Sequence, residues 1–162
     1  MKGYDFRDLS VLICDDNMQM RALVRNCLMA FGIKNVTDAS SAEDAFQQLL
    51  DTNPDLVITD WFMGESSGLD FVRRVRQSEE SPNPYVPIIM LTAYAEMERV
   101  QTARDAGVSS FLAKPMSAHS LYKRLASLVE DQRPFVRCMD FFGPDRRFKT
   151  DPDFGGEDRR AA

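Results

Sequence analysis

Short apolar runs recur along the chain and alternate with longer segments of helical periodicity. Each run is too short for a helix, and several begin or end at a proline, a glycine or a charged residue, so each predicts a buried strand. These runs predict strands over residues 9–14, 56–60, 88–92 and 108–113, and residues 35–39 can form a further short strand. Strands of this apolar character are typical of a parallel sheet that is covered on both faces.

A segment with apolar residues at helical spacing follows each predicted strand. The first carries a methionine-rich stripe from Met20 to Phe31, and the second opens with Ser40 and Glu43 at the spacing of a capping box. The third has Arg73, Arg74 and Arg76 beside its apolar stripe, and we expect these arginines to be solvated. The fourth and fifth helices are predicted over residues 96–106 and 117–131.

Five strands that alternate with five helices predict an α/β fold, a doubly wound five-stranded parallel sheet with helices on both faces. The 162 residues are enough for one such domain and leave little for a second. We therefore expect a domain over residues 1–132. Residues 133–162 lack apolar periodicity and are predicted to form an extended or partly disordered tail.

The amino-acid composition limits the kinds of molecule that the protein is expected to bind. A net charge of -5 and a pI near 4.9 argue against binding nucleic acid or anionic lipid through bulk charge. No apolar run has the length of a membrane span, and the N-terminus lacks the apolar stretch of a signal peptide, so we expect a cytoplasmic protein without a membrane partner. The three cysteines are widely spaced, and we interpret them as core thiols.

Polar residues suited to phosphate or metal chemistry end four of the five strands. Asp15 and Asp16 follow the first strand, and Asp60, Thr92 and Lys114 end or follow the third, fourth and fifth. The carboxyl ends of parallel strands meet at one crevice, so we expect these side chains to converge. Crowded carboxylates need a cation, and an oxygen-only site with few ligands favours Mg²⁺. Asp60 could then act as a nucleophile toward phosphorus and become a phosphoaspartate.

The motifs Asp15-Asp16, Asp60-x-x-Met63, Thr92-Ala93 and Lys114-Pro115 together resemble the receiver domain of bacterial response regulators. The resemblance covers roughly residues 8–131 and is specific as a set. It implies the flavodoxin-like strand order 2-1-3-4-5, which the chemotaxis receivers have, and a chemotaxis-receiver-like protein of a single domain.

The resemblance also implies a role for each site residue. Asp60 would be the phosphoacceptor, and Asp16 and Asp60 would bind Mg²⁺ directly, together with the backbone carbonyl of Phe62. Asp15 would bind the ion through water. Thr92 and Lys114 would bind the phosphoryl group.

Four further positions take their interpretation from the same resemblance. Phe111 stands where the family has its aromatic switch residue, and the bond from Lys114 to Pro115 would be cis. Phe62 and Tyr94 would flank the mouth of the site and influence the lifetime of the phosphoryl group.

The implied function is a phosphorylation-dependent switch of a two-component system. A histidine kinase or histidine phosphotransfer protein would donate the phosphoryl group, and the changed surface would bind a downstream protein rather than nucleic acid. Such a domain is not an enzyme beyond its own phosphorylation and dephosphorylation. The alternative is a pseudo-receiver, an interaction module that keeps the fold without being phosphorylated.

Two other chemical interpretations are weaker. A haloacid dehalogenase-type hydrolase also uses an aspartyl nucleophile, but it would need a second carboxylate where this chain has Phe62. His119 is the single histidine and is far in sequence from the carboxylates, so we expect it at the surface.

The tail is rich in aromatic residues, with five of the 11 phenylalanines. This exceeds what a solubilising segment normally carries. We expect Phe135, Phe141 and Phe142 to dock on the flank of the domain, and the chain beyond about Lys149 to be mobile.

Overall fold

The structure is a computed structural model that describes residues 5–63, 66–93, 97–114, 116–130, 135–138 and 141–144. Within these ranges the five helices are α1 (Met18–Ala30), α2 (Ala42–Thr52), α3 (Gly68–Gln77), α4 (Met97–Ala106) and α5 (Ala118–Glu130). The nine strands are β1 (Ser10–Cys14), β2 (Asn35–Ala39), β3 (Leu56–Asp60), β4 (Phe62–Met63), β5 (Ser66–Ser67), β6 (Ile88–Thr92), β7 (Ser110–Ala113), β8 (Phe135–Cys138) and β9 (Phe141–Pro144).

Five strands form the central sheet in the order β2-β1-β3-β6-β7. All four strand pairings in this sheet are parallel. Numbered along the chain within this sheet, the strand order is 2-1-3-4-5, which confirms the predicted doubly wound fold.

The strand register brings the carboxyl ends of the inner strands to one edge of the sheet. Cys14 at the end of β1 pairs with Thr59, and Asp60 at the end of β3 pairs with Leu91. Thr92 at the end of β6 pairs with Ala113, the last residue of β7. The polar residues that end or follow these strands therefore lie along the same edge, as the sequence predicted.

Each face of the sheet has its own hydrophobic core. Leu12 and Cys14 of β1 pack with residues of α2, α3 and α4, whereas the alternate residues Val11 and Ile13 pack with α1 and α5. This alternation follows from the pleat of a strand, which turns successive side chains to opposite faces. Burial on both faces explains why the inner strands β1, β3 and β6 are mostly apolar.

The start of α2 differs by one residue from the prediction. Ser41, not Ser40, is the N-cap, and its side chain accepts a hydrogen bond from the backbone N–H of Asp44. Ala45, Phe46 and Leu49 are buried against the sheet. Helix α2 therefore begins one residue later than the capping box of Ser40 and Glu43 would place it.

The predicted solvated face of α3 is wrong at one position. Arg73 and Arg74 are partly exposed, but Arg76 is 1% exposed because it follows Val72 by one helical turn on the buried stripe. Burial lowers the pKa of Arg76 to about 9. The guanidinium donates to the backbone carbonyl oxygens of three residues on neighbouring loops: Pro84 (2.8 Å), Val86 (2.6 Å) and Gly107 (3.0 Å).

Two segments of the C-terminal tail form a hairpin. Strands β8 and β9 pair in antiparallel fashion, with Phe135 opposite Pro144 and Cys138 opposite Phe141. Strand β9 lies against α3 and α4. The sequence predicted an extended tail but not this pairing, and the predicted mobile segment beyond Lys149 lies outside the described residues.

Candidate functional site

Three carboxylates meet at the carboxyl edge of the sheet. Asp15 and Asp16 belong to the loop between β1 and α1, and Asp60 is the last residue of β3. One oxygen from each of them lies within 4.8 Å of the others. Asp15 is buried, Asp60 is half-buried and Asp16 is exposed, so the cluster is open to solvent on the side of Asp16.

Asp15 is the most constrained of the three. Its Oδ1 accepts a hydrogen bond of 2.9 Å from the backbone N–H of Asn17. Its Oδ2 is buried and accepts no hydrogen bond from the described part of the chain. Burial raises the pKa of Asp15, and the charge of Asp60 raises it further, whereas Lys114 opposes both. The charge on Asp15 is therefore costly to the fold in the absence of a cation.

Lys114 supplies the positively charged side chain of the site. Its Nζ lies 3.0 Å from Oδ1 of Asp60 and 3.7 Å from Oδ2 of Asp15. The backbone N–H of Lys114 donates to the carbonyl oxygen of Thr92, which continues the pairing of β6 and β7 beyond the last strand residue. This hydrogen bond places the lysine beside the acidic cluster.

A second donor fixes the orientation of the Asp60 carboxylate. The backbone N–H of Trp61 donates to Oδ1 of Asp60 at 2.8 Å, so this oxygen contacts both an amide and the ammonium of Lys114. The indole of Trp61 is buried. One oxygen of Asp60 is therefore held in place by two donors.

Helix α3 begins close to the Asp60 backbone. Gly68 donates its N–H to the carbonyl oxygen of Trp61 at 2.8 Å. A Cβ atom added at Gly68 would clash with the carbonyl oxygen of Asp60, which leaves no room for any side chain. Glycine is therefore required here by space, and it lets the first turn of α3 support the strand end that carries Asp60.

Thr92 and Phe111 lie on the neighbouring strands β6 and β7. Thr92 is buried at the end of β6, at the same sheet edge as the carboxylates. Phe111 pairs with Met90 and is partly buried against the core on the α2, α3 and α4 side of the sheet. The predicted switch residues are therefore on adjacent strands, one at the site and the other three residues before Lys114.

The donor set is compatible with a divalent metal ion, and Mg²⁺ is the ion that the sequence predicted. The ion prefers oxygen ligands at 2.0–2.1 Å, which places ligands on opposite sides of it about 4 Å apart. The carboxylate oxygens of Asp15, Asp16 and Asp60 lie within 4.8 Å of one another, near enough to share one ion. Oδ2 of Asp15, which accepts no hydrogen bond within the described residues, would gain a partner from a water bound to the cation. A divalent cation would also relieve the repulsion among the carboxylates.

Other predicted positions lie apart from this cluster or outside the described residues. His119 is exposed on α5. Phe62 belongs to β4, which pairs with β5, but its side chain is not among the described ones. Tyr94 and Pro115 also lie outside the described residues.

Sequence reasoning missed Arg21, a basic residue that touches the acidic loop. Its Nη1 donates to the carbonyl oxygen of Asp15 at 2.7 Å. Nothing in the sequence distinguished Arg21 from the other charged residues of α1, because the contact depends on how α1 returns across the end of β1. Only the folded geometry shows this contact.

A doubly wound sheet whose carboxyl edge gathers three carboxylates and a lysine is typical of a phosphate-handling module of the flavodoxin-like class. The model of the response regulator receiver domain family matches residues 11–126. The chain belongs to this family.

Individual relatives agree with that assignment. The chemotaxis protein CheY-3 of Vibrio cholerae is 33% identical over 124 residues, which are 76% of this chain and 94% of that protein. The chemotaxis protein CheY of Pseudomonas aeruginosa is 32% identical over 122 residues, 75% of this chain and 97% of the relative. The structure of Vibrio cholerae CheY4 superposes with a TM-score of 0.68 at 28% identity, covering 74% of this chain and 97% of the other.

Membership in this family assigns a general function. The protein is a phosphorylation-dependent signalling switch of a two-component system, as the sequence predicted. Within the described residues, none of the helices combines the length and the apolar character that crossing a membrane requires.

Proposed function

We propose that Asp60 accepts a phosphoryl group from a phosphohistidine donor with Mg²⁺ bound beside it. The observation that carries this proposal is the juxtaposition of Asp60 with two further carboxylates and with the Nζ of Lys114 at 3.0 Å. The nucleophile, the cation-binding groups and the fixed positive charge are all at the carboxyl edge of one sheet.

The reaction transfers one phosphoryl group between two side chains. A carboxylate oxygen of Asp60 forms the new O–P bond while the P–N bond of the donor breaks, and the imidazole keeps the electron pair of that bond and takes up a proton. Asp60 is suited to this attack because its other oxygen is held by the N–H of Trp61 and by Lys114. Orientation of this kind is a large part of phosphoryl-transfer catalysis.

Lys114 and Thr92 would bind the transferred group. The ammonium of Lys114 lies close enough to Asp60 to neutralise a phosphoryl oxygen, and the hydroxyl of Thr92 is at the end of the adjacent strand. The ammonium and the hydroxyl can both stabilise the negative charge that develops on the phosphoryl oxygens. Asp60 and Asp16, with the carbonyl of Phe62, would hold Mg²⁺ directly, and Asp15 would act through water. The bound ion supplies charge neutralisation for the same oxygens.

The output is a change of protein surface. We propose that Thr92 moves toward the phosphoryl group and that Phe111 turns inward, which alters the surface formed by α4, β7 and α5. The phosphoryl group shifts this equilibrium only through the contacts that it makes in one state and not in the other. The donor is a histidine kinase or a phosphotransfer protein, and the target is another protein. We place the protein in the cytoplasm, and its only covalent chemistry is its own phosphorylation and dephosphorylation.

A labelled phosphoryl donor tests the proposal directly. The wild-type protein should incorporate label with Mg²⁺ and lose it with a chelator, and Asp60→Asn should incorporate none. Lys114→Met is the second variant, since it should keep the acceptor but react far more slowly. Incorporation that persists in Asp60→Asn would refute the assignment of the acceptor, and no incorporation in the wild type would instead support a pseudo-receiver.

A further inference from the structure

Arg21 binds the peptide that joins two of the carboxylate residues. The carbonyl oxygen of Asp15, which accepts 2.7 Å from Nη1 of Arg21, belongs to the peptide bond between Asp15 and Asp16. The plane of this peptide determines the direction in which both side chains leave the backbone. A contact at this carbonyl therefore acts on the two carboxylates together.

Arg21 is itself held by the neighbouring strand. Its Nε lies 3.7 Å from Oδ2 of Asp38 on β2, and the arginine side chain is 17% exposed. The backbone N–H of Asp15 donates to the carbonyl oxygen of Ala39, the residue after Asp38. The Asp15 backbone is therefore fixed on its N–H side by β2 and on its carbonyl side by an arginine that is paired with β2.

We propose that Arg21 is a positioning residue for the Mg²⁺ site. It holds the peptide between Asp15 and Asp16 in the orientation that lets both carboxylates face a single cation. This role rests on the proposed function, because it assumes that these carboxylates bind Mg²⁺. Arg21 does not touch the ion or the phosphoryl group.

The alternative role for an arginine at this place is purely electrostatic, and it predicts the opposite effect. A positive charge beside the cluster repels Mg²⁺, so removing the charge alone would strengthen metal binding. Removing a group that orients metal ligands weakens binding, typically by tenfold or more. The sign of the change in affinity therefore distinguishes positioning from charge.

Arg25 provides a matched control. It lies one turn further along α1, and its Nη2 lies 3.1 Å from the same oxygen of Asp38. Its Nη1 donates to the carbonyl oxygen of Val36 on β2, not to the acidic loop. Arg25→Met therefore removes the same charge and the same ion-pair partner without releasing the peptide between Asp15 and Asp16.

The experiment compares Mg²⁺ affinity in the wild type, Arg21→Met and Arg25→Met. Mg²⁺ is titrated against Trp61 fluorescence, and Mn²⁺ binding is measured independently from the loss of the paramagnetic resonance signal of the free ion. We expect the dissociation constant of Arg21→Met to rise about tenfold and that of Arg25→Met to stay within about twofold of wild type. Circular dichroism in chelator establishes that each variant is folded, and Arg21→Gln replaces the methionine variant if that protein does not fold.

The outcomes distinguish a failure of the role of Arg21 from a failure of the proposed function. Unchanged or tighter binding in a folded Arg21 variant, with normal wild-type binding, would overturn the role of Arg21 and leave the proposed function intact. Equal weakening in both arginine variants would also overturn it, because the effect would then come from Asp38. Failure of the wild type to bind either ion would overturn the proposed function itself.

Discussion

Replacing Asp15 by asparagine should stabilise the protein when no metal is bound. The substitution keeps the shape of the side chain and its acceptor for the N–H of Asn17, and it removes a charge that is buried in the cluster. The amide nitrogen that replaces Oδ2 can donate to the neighbouring carboxylates. In the proposed function this charge serves a bound cation, at a cost to the metal-free fold.

The magnitude follows from the distances. With an effective dielectric constant of about 20, Asp60 at no more than 4.8 Å repels Asp15 by at least about 3.5 kcal/mol, and Lys114 at 3.7 Å attracts it by about 4.5 kcal/mol. These two terms nearly cancel. What remains is the burial of Oδ2 without a hydrogen-bond partner among the described residues, which costs about 1–3 kcal/mol. We expect Asp15→Asn to raise the free energy of unfolding by about that amount, and the melting temperature by several degrees.

Urea unfolding in chelator at neutral pH measures the difference in free energy of unfolding between the wild type and Asp15→Asn. Asp16→Asn is the control. Asp16 is exposed, so water already stabilises its charge and the gain should be smaller. At 1,000 times the wild-type dissociation constant for Mg²⁺ the order should reverse, because ligand binding then stabilises the wild type by about 4.1 kcal/mol.

The pH dependence provides a further check. The pKa of Asp15 is raised in the folded protein, so its charge destabilises the fold above that pKa and ceases to do so below the ordinary value of 3.8. The advantage of Asp15→Asn should therefore be full above the raised pKa of Asp15 and disappear below pH 3.8. An asparagine variant no more stable than wild type in chelator, or an advantage that persists in acid, would refute the reasoning.

Three further predictions concern the surroundings of the site. Gly68→Ala should lower the free energy of unfolding by about 1–3 kcal/mol, the usual cost of overpacking. It should also weaken Mg²⁺ binding, because the new Cβ displaces the Asp60 backbone, and an unchanged metal affinity would contradict this displacement. Thr92→Ala should still accept phosphate yet lose the change in affinity for its partner, and an unchanged response in a binding assay would exclude Thr92 from the switch. Hydrogen exchange across residues 133–162 should show slow amides in β8 and β9, whereas uniformly fast exchange would mean that the hairpin is not stably formed.

The strand ends could be predicted because their signal is local. An apolar run that stops at Asp60 or Thr92 indicates both the strand and its last residue, and the parallel topology then brings these ends together. The boundary of α2 was harder to place because Ser40 and Ser41 are both good caps. The stripe formed by Ala45, Phe46 and Leu49 decides between them only once it is packed against the sheet.

Two arginines show why the rest could not be predicted. Arg76 was interpreted by its residue type, although its position one turn after Val72 placed it on the buried stripe. That signal was present in the spacing. For Arg21 no comparable signal exists, since its partners in the loop after β1 and on β2 are set by the tertiary fold. Charged residues with backbone partners are therefore the hardest to assign from a sequence.

The burial of Arg76 has a mechanical consequence. Its guanidinium donates hydrogen bonds to the backbone just before β6, at Pro84 and Val86, and just before β7, at Gly107. These two strands end near Thr92 and Lys114. At about 3.3 Å per residue, the five residues of β6 span about 16 Å. Because Arg76 holds the N-terminal ends of β6 and β7 together, we expect a phosphoryl group to rotate the strands about those ends and not to shift them along their axes. The largest displacement then falls on the loops that carry the reactive groups.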